Sequence, residues 1–336
     1  MRVLLYFQDE NFLKTSGTGR ARKHQALALE SVGVDYTFDP LADYDIAHIN
    51  TIYGKSQRLL KKCRKKGIPV IVHGHSTHED WRESFLFWKA MEPFFDRNLD
   101  WIYSRADLII TPTPYSKKLI ESYGFNVPVK AISNGIMMDQ YGPNPKAEKE
   151  FRKLFHLGEE EKYVMGVGFP FVRKGLPDFF TVARSFPNTK FFWFGHLPPI
   201  AETPEIHKAI HHKPSNCIMP GYIAGNLIKG AYQGASAMFF PSYEETEGIV
   251  VLEALASKTP LVVRDIGVYD PWLHDGVDCH KCKNNEEFVS ALRALLTNGE
   301  DPKILEAGYK IAEARDVHLI GKELKEAYEE LLSKKK

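Results

Sequence analysis

Two glutamates, Glu245 and Glu253, flank Gly248 in the stretch Pro-Ser-Tyr-Glu-Glu-Thr-Glu-Gly-Ile-Val-Val-Leu-Glu-Ala. We expect a strand to end at Pro241 and a helix to begin near Ile249, which puts Glu245 in a loop and Glu253 on a helix. Backbone N–H groups at such a helix start suit a diphosphate, and carboxylates suit sugar hydroxyls because each accepts two or more hydrogen bonds. On these residues alone, an acidic helix cap explains the pattern equally well, since the helix dipole favours acids there.

A second group of candidates lies in Gly166-Val-Gly168-Phe-Pro-Phe-Val-Arg173-Lys174-Gly175, where a strand that ends in glycine is followed by two cations. Arg173 and Lys174 are placed to neutralise a leaving diphosphate, because charged donors form strong hydrogen bonds to phosphate oxygens. A basic pair that faces solvent is the competing interpretation.

Three histidines and two acids occur between His73 and Asp80, directly after a predicted strand. Such a composition could indicate a metal site. The spacing lacks the shared helical face of H-E-x-x-H, so we predict no metal here. His73 and His75 are candidates for a ligand contact, and a structural role is the alternative.

The loop after the first predicted strand contains Gly17-Thr-Gly19. It is not a dinucleotide fingerprint, because G-x-G-x-x-G requires a small residue where this chain has Arg22. A Rossmann dehydrogenase is therefore disfavoured.

Strands and helices alternate along the chain, which is typical of parallel sheets covered on both faces. The predicted strands are Arg2–Phe7, Asp45–Ile49, Pro69–His73, Leu108–Thr111, Tyr163–Gly168, Lys190–Gly195, Cys217–Met219, Ala237–Pro241 and Pro260–Arg264. The predicted helices are Gly19–Ser31, Ser56–Lys66, Trp81–Arg105, Ser116–Tyr123, Pro177–Ser185, Gly225–Gln233, Ile249–Ala256, Glu286–Thr297 and Ile320–Lys336.

The Gly- and Pro-containing stretch Ser133–Lys149 interrupts this alternation and predicts an interdomain linker. We expect one Rossmann-like domain over residues 1–140 and a second over residues 141–317, with a helix near residues 318–336 packing back onto the first. Ligands of open parallel sheets bind beyond the carboxyl ends of the strands. The predicted fold class is therefore α/β, with two parallel sheets facing across an interdomain cleft that holds the active site.

The overall composition disfavours several classes of protein. The 336 residues carry a formal net charge of +1, which argues against a dedicated nucleic-acid binder. The 4 scattered cysteines predict reduced thiols rather than a disulfide framework or a zinc site. The amino terminus has no apolar signal core, and no apolar run is long enough to span a bilayer, so we expect a cytoplasmic protein.

The glutamates around Gly-Ile-Val-Val-Leu resemble the E-x7-E signature of glycosyltransferase family 4, which has the GT-B fold and retains anomeric configuration. By this resemblance Glu245 contacts the donor hexose and Glu253 the ribose. The backbone of Gly248, Ile249 and Val250 then meets the diphosphate and sugar. Glu247 departs from the pattern, because many members have Phe before this glycine, and the extra acid could alter donor choice.

The same resemblance implies roles for the other candidates. Lys174 binds phosphate, Arg173 replaces the arginine that many members carry where this chain has Phe169, and His73 lies near the reacting sugar. The amino-terminal glycine loop closes over the donor phosphates. The remaining predicted donor-binding residues are Gly17, Gly19, His75, Gly168, Gly195 and Tyr222.

The acceptor has to be inferred from the first half of the chain. Seven basic residues and no acid lie between Lys55 and Lys66, and the stretch Trp81–Tyr103 is rich in aromatic residues. A solvated helix face and an ordinary core would explain these patterns, whereas contact with an anionic membrane surface would explain both together. The stretches that begin at His73 and Ala106 are similar to bacterial glycolipid synthases of the family.

These features predict a metal-independent hexosyltransferase that needs no cofactor and works on the inner face of the cell membrane. It would move glucose or galactose from a UDP-sugar to monoglucosyl-diacylglycerol, and the product would serve as a membrane glycolipid or lipoteichoic acid anchor. A polysaccharide or protein acceptor is one alternative. A non-catalytic subunit that binds nucleotide sugars is another.

Overall fold

The computed structural model describes residues 1–8, 17–84 and 86–334. The chain forms two compact units. The first contains Met1–Trp81, Lys89–Met137 and Arg315–Lys336, and the second contains Arg82–Trp88 and Met138–Ala314. Residues 82–88, which the predicted boundaries assigned to the amino-terminal domain, thus cluster with the second unit. Ser16, Phe85 and the last two residues of the predicted carboxyl-terminal helix lie outside the described residues.

The first unit is built on a six-stranded parallel sheet with strand order β2-β1-β3-β4-β5-β6. Its strands are β1 (Arg2–Tyr6), β2 (Asp35–Thr37), β3 (Ile46–Ile49), β4 (Val70–His73), β5 (Leu108–Thr111) and β6 (Val129–Ala131). Every residue of β3, β4 and β5 is buried, as expected for parallel strands covered on both faces. The carboxyl ends of β3 and β4 therefore lie side by side, which places the residues after them close together.

Helices cover both faces of this sheet. In chain order they are α1 (Gly17–Ser31), α2 (Gly54–Lys65), the short α3 (His78–Trp81), α4 (Trp88–Tyr103) and α5 (Pro114–Ser122). The prediction of one continuous helix over Trp81–Arg105 is wrong. Glu83 and Phe87 adopt φ angles of +55° and +62°, a left-handed conformation that α-helix excludes, and they separate α3 from α4.

The second unit is a six-stranded parallel sheet with strand order β12-β11-β10-β7-β8-β9. Its strands are β7 (Tyr163–Val167), β8 (Lys190–Phe194), β9 (Cys217–Gly221), β10 (Ala237–Phe240), β11 (Leu261–Arg264) and β12 (His280–Cys282). Its helices are α6 (Pro145–Leu154), α7 (Leu176–Ala183), α8 (Pro204–His211), α9 (Asn226–Gly234), α10 (Ile249–Ala256), α11 (Asn285–Asn298) and α12 (Pro302–Glu313). Because β7 lies between β10 and β8, the loops after these three strands are neighbours.

The predicted linker Ser133–Lys149 is only partly correct. It contains the 3-10 turn Met138–Gln140, and α6 already begins at Pro145. Asn144 caps α6 by accepting a hydrogen bond from the backbone of Ala147, and Pro145 fills the first helical position. Of the Gly and Pro residues that suggested a linker, Pro145 therefore belongs to the start of a helix.

The last helix of the chain returns to the first unit. Helix α13 (Val317–Ser333) packs against α1. A Cβ atom at Gly321 would lie 2.1 Å from the carbonyl oxygen of Ala28, so the two helix backbones are close together. Val317, Ile320, Leu324, Tyr328 and Leu331 join the core formed with β1 and α1.

Candidate functional site

Two glycines at the ends of β7 and β8 let the backbone of these strands approach closely. Gly168 donates its N–H to the carbonyl oxygen of Phe194 over 2.9 Å, and Gly195 donates to that of Gly221, also over 2.9 Å. A Cβ atom at Gly195 would lie 1.9 Å from the carbonyl oxygen of Gly168, and the φ angle of Gly195 is +146°. Tyr222, which follows β9, is exposed. The structure thus brings the predicted residues Gly168, Gly195 and Tyr222 to one edge of the second sheet.

A third glycine brings the loop after β7 against the end of β10. Gly175 precedes α7 with a φ angle of +74°, and a Cβ atom there would lie 2.3 Å from the carbonyl oxygen of Pro241. Only glycine fits both conditions. As a result Lys174 reaches the loop that carries Glu245.

Lys174 and Glu245 form an ion pair that is largely buried. The Lys174 ammonium contacts Oε1 of Glu245, and the same oxygen accepts a hydrogen bond from Oγ of Ser242 over 2.7 Å. The side chains are 16% and 8% exposed, so water screens the pair little. Two predicted donor-binding residues of opposite charge are therefore paired with each other.

The Arg173 side chain is engaged by the protein itself. Its Nη1 atom donates to the carbonyl oxygen of Glu244 over 2.7 Å, and its Nε donates to Oγ of Ser84 over 3.1 Å. Ser84 is buried. The guanidinium thus joins residues 82–88 to the Glu245 loop, and its contact with a leaving diphosphate stays a prediction.

Helix α10 begins at the predicted position with backbone N–H groups available for a ligand. Gly248 has a φ angle of +88° and provides no side-chain cap, so the N–H groups of Ile249 and Val250 are open to an anion. Glu253 is buried within α10 and accepts a hydrogen bond from the Tyr232 hydroxyl over 2.9 Å. Glu247, the acid that departs from the family pattern, is also buried.

The Tyr269 hydroxyl lies beneath this helix start. A Cβ atom at Gly248 would be 3.3 Å from the Tyr269 oxygen. That oxygen is buried and has no hydrogen-bond partner within the part of the chain that the structure describes. Burial, with the nearby charge of Glu245 as a smaller cause, raises the pKa of Tyr269 well above its usual value. Its neutral hydroxyl can therefore donate a hydrogen bond.

In the first unit, His73 and His75 belong to a buried cluster of stacked imidazole rings. The His73 and His75 ring centroids are 4.0 Å apart, and those of His48 and His73 are 5.2 Å apart. Burial lowers the pKa of His73 to about 3, and an interaction with the side chain of Asn134 opposes this effect. Nε2 of His73 is buried and has no hydrogen-bond partner among the described residues. Burial also lowers the pKa values of His48 and His75, so all three rings are neutral.

The two predicted amino-terminal glycines lie in the first turn of α1. Gly17 and Gly19 are the first and third residues of that helix, whereas the loop before it lies outside the described residues. No group of three or more His, Cys, Asp or Glu residues that could hold a metal occurs within residues 1–8, 17–84 and 86–334. In the same ranges, no helix is both long and apolar enough to cross a bilayer.

Several residues of the site were missed by sequence reasoning. Ser242 and Tyr232 hold the two glutamates, Tyr269 lies under the helix start, and Gln25 and His48 hold His73. Ser242 directly follows Pro241, where the strand was predicted to end, and this position could have marked it as a site residue. The others are far from their partners in sequence, and no local pattern marked them.

Comparisons with known proteins agree with this architecture. Residues 147–310 match the family described as Glycosyl transferases group 1, and residues 32–140 match Glycosyltransferase Family 4. The chain is 51% identical to a processive diacylglycerol alpha-glucosyltransferase of Acholeplasma laidlawii, over 100% of both chains. It is 27% identical to an alpha-galactosylglucosyldiacylglycerol synthase of Streptococcus pneumoniae, over 74% of this chain and 66% of that one.

Solved structures share the fold at low sequence identity. Sucrose-phosphate synthase from Thermosynechococcus elongatus superposes with a TM-score of 0.79 at 15% identity, over 99% of both chains. With its two six-stranded parallel sheets and full-length similarity to a glycolipid synthase, the chain belongs to the family 4 glycosyltransferases of GT-B fold.

Proposed function

We propose that this glycosyltransferase moves a hexose, glucose or galactose, from a UDP-sugar to monoglucosyl-diacylglycerol. The observation that carries the proposal is the 51% identity, over its whole length, to a protein named as a diacylglycerol glucosyltransferase. The second relative is named as a synthase of a galactosylglucosyl lipid, which supports an acceptor that already carries glucose. The product is a diglycosyl-diacylglycerol that serves as a membrane glycolipid or lipoteichoic acid anchor.

The geometry of the second unit supports a binding mode for the donor. Lys174 contacts the diphosphate, and the N–H groups of Ile249 and Val250 at the start of α10 bind it from another side. Glu245 binds hexose hydroxyls and Glu253 binds the ribose. Lys174 and Glu245 are paired with each other, and the donor offers each a further partner of suitable charge or polarity, because an ammonium has three donors and a carboxylate has two oxygens.

We assign a retaining, metal-independent mechanism to the reaction. Both relatives are named for alpha-linked sugars, and UDP-glucose carries its sugar as the alpha anomer, so an alpha product corresponds to retention. The Lys174 ammonium supplies the positive charge that the departing diphosphate requires. A trapped covalent glycosyl-enzyme intermediate would contradict the same-face mechanism that we favour, in which the donor phosphate helps to remove the acceptor proton.

The first unit presents a surface suited to an anionic membrane. All seven basic residues between Lys55 and Lys66 are exposed. Helix α4 lies beside α2, where Gln57 donates to Asn98 over 2.8 Å, and it exposes Met91 and Phe94. Basic groups attract anionic lipid, and apolar side chains enter the interface. We propose peripheral attachment to the inner face of the cell membrane through this surface.

Mass spectrometry of the products tests the acceptor and the donor. The enzyme is incubated with UDP-glucose or UDP-galactose and vesicles that contain monoglucosyl-diacylglycerol, with and without EDTA. We expect a diglycosyl-diacylglycerol whose yield EDTA does not lower. Transfer only to a polysaccharide or protein acceptor would replace this proposal, and a lack of any transfer or hydrolysis would favour a non-catalytic subunit.

Vesicle flotation tests the membrane surface separately. We expect binding to anionic vesicles and little binding to neutral ones, with a loss for a variant in which Lys61, Lys62 and Lys65 are changed to Gln. Changing three exposed lysines of the second unit, Lys153, Lys208 and Lys213, to Gln provides the matched control. Equal flotation of the two variants would remove α2 from the membrane contact.

A further inference from the structure

The buried histidines of the first unit are held by a hydrogen-bond network whose direction is fixed. The Gln25 amide nitrogen lies 2.9 Å from Oδ1 of Asn50 and 3.0 Å from Nδ1 of His73. Nε2 of His48 lies 3.1 Å from the same His73 nitrogen. All of these groups are buried, so pairs in which a donor meets an acceptor are strongly favoured, although Oε1 of Gln25 has no partner among the described residues.

The backbone carbonyl of His48 determines the orientation of the amides. The Asn50 amide nitrogen donates to this carbonyl over 3.4 Å, and a carbonyl can only accept. Oδ1 of Asn50 therefore faces Gln25, and it also accepts from Nε2 of His75 over 2.8 Å. Gln25 must then present its amide nitrogen, which can only donate, to Nδ1 of His73.

The hydrogen bonds of the His48 ring run in the same direction. Nδ1 of His73 carries no hydrogen, so Nε2 of His48 has to donate to it. Since the His48 ring is neutral, its Nδ1 is an acceptor, and the Tyr328 hydroxyl donates to it over 2.8 Å. Tyr328 lies on α13, 280 residues after His48 in the chain, so the last helix closes the network.

We propose that Gln25 and His48 are positioning residues that hold His73 in the neutral tautomer with its hydrogen on Nε2, and that Tyr328 acts through His48. In this tautomer Nε2 of His73 can donate a hydrogen bond to a ligand oxygen that reaches it and cannot accept a proton from one. His73 therefore orients a sugar or phosphate oxygen and does not act as the general base of transfer. The consequence for transfer rests on the function proposed above, whereas the tautomer does not.

Long-range proton–nitrogen NMR spectra of the protein with 15N-labelled histidine read the tautomers directly. We expect His48 and His73 to show a protonated Nε2 and a bare Nδ1 at neutral pH. A His73 ring with its hydrogen on Nδ1 would overturn the proposal.

The variant Gln25→Met keeps a side chain of similar size but removes the amide N–H that donates to Nδ1 of His73 and so fixes the direction of the hydrogen bonds. The Tyr328–His48–His73 chain can then run either way, because a hydroxyl both donates and accepts. We expect His73 to populate both tautomers and kcat/KM to fall about tenfold, the lower end of the effect of removing groups that orient a ligating histidine. Gln57→Met, on α2 and outside the network, is the matched control and should leave the tautomer unchanged. An unchanged His73 tautomer in Gln25→Met would contradict the role of Gln25.

Substitutions of His73 test its role as a donor during transfer. The Gln amide nitrogen occupies roughly the position of Nε2 and that of Asn the position of Nδ1, so His73→Gln should retain more activity than His73→Asn. Equal loss in both would overturn the donor role of Nε2. Wild-type tautomers as expected, combined with full activity of His73→Asn, would exclude His73 from the proposed transfer while leaving its tautomer assignment intact.

Discussion

The first unit holds its candidate residues as neutral rings in a closed network, whereas the second unit holds its candidates as a buried ion pair between glycine-lined loops. Nε2 of His48 bonds to Nδ1 of His73, and the His73 ring stacks on His75, without any charge. Lys174 and Glu245 carry opposite charges and share one principal contact. A neutral network resists rearrangement, because every change leaves a buried donor or acceptor unmatched. An ion pair can open when a charged ligand supplies new partners, so the second unit is the one suited to bind and release an anion.

The largest effect is expected when one charge of the Lys174–Glu245 pair is removed. Lys174→Ala and Glu245→Ala should each lower kcat/KM by at least about 10³-fold, or about 4 kcal/mol, because each removes a contact to the charge or sugar of the donor. The chain should remain folded by circular dichroism. Initial rates of product formation measure the effect.

The partly exposed ion pair between Lys190 and Glu161, at 3.0 Å, provides a control in the same unit. Lys190→Ala should cost at most about 1 kcal/mol of stability, since solvent screens this pair, and should leave the rate unchanged. Near-normal rates in either Lys174→Ala or Glu245→Ala would remove that residue from the site.

Acid should destabilise the neutral network. A histidine in the unfolded chain has a pKa of about 6.5, whereas burial lowers that of His73 to about 3. Between these values the unfolded chain binds more protons, so the free energy of unfolding falls as pH drops through this window. For His73 alone this loss is about 1 kcal/mol between pH ~7 and ~5.5, and the lowered pKa values of His48 and His75 add to it in the same direction.

Urea unfolding at the two pH values measures this loss. His48→Leu should reduce the pH dependence, since one ring whose pKa is lowered by burial is removed. His211→Gln, which changes an exposed histidine, should leave it unaltered. A pH dependence that is the same in all three proteins would mean that the network is not the source.

The glycine-lined loops of the second unit allow a smaller test. Gly195→Ala should destabilise the fold by about 3 kcal/mol, because its Cβ would lie 1.9 Å from the Gly168 carbonyl oxygen. Gly225→Ala shares a positive φ angle of +63° but meets nothing within 4 Å, so only backbone strain remains and the cost should be smaller, on the order of 1–2 kcal/mol. Equal melting temperatures of the two variants would show that the loops can move apart freely.

The smallest expected effect concerns the Tyr269 hydroxyl, which is buried beneath the start of α10. Tyr269→Phe should leave stability unchanged or raise it by about 1 kcal/mol, because the removed hydroxyl is buried without a partner among the described residues. Tyr163→Phe removes a bond of 2.8 Å to the Ala231 carbonyl and should lower stability by about 1 kcal/mol. The urea midpoints of the two variants show whether stability rises or falls. A clear loss of stability in Tyr269→Phe would mean that the Tyr269 hydroxyl has a hydrogen-bond partner in the folded protein.

The main strands and the α10 helix were predictable from sequence because their signals are local. Val70–His73 and Ala237–Phe240 are apolar runs of strand length, and Ile249–Ala256 is a helix of the predicted bounds. The edge strand His280–Cys282 has no apolar pattern, because only one of its three residues is buried. It was missed for that reason.

Each candidate residue was proposed from a local pattern and stays a prediction, whereas contacts between residues far apart in the chain could not be proposed from sequence. Lys174 and Glu245 are 71 residues apart, and they meet because β7 and β10 are neighbours in the sheet. Arg173 and Ser84 are 89 residues apart and meet because residues 82–88 belong to the second unit. Such pairs follow from topology and from glycines that permit close approach, which no spacing along the chain encodes.

The return of α13 to the first unit has a consequence for biosynthesis. Val317–Ser333 leaves the ribosome only after the entire second unit has been made, although its side chains complete the core that β1 and α1 begin. The second unit is continuous from Met138 to Ala314 apart from a short segment, so it can fold during translation. The first unit is synthesised first but cannot complete its core until α13 has been made. Nascent chains arrested before Val317 should therefore be cut by protease mainly in their amino-terminal half.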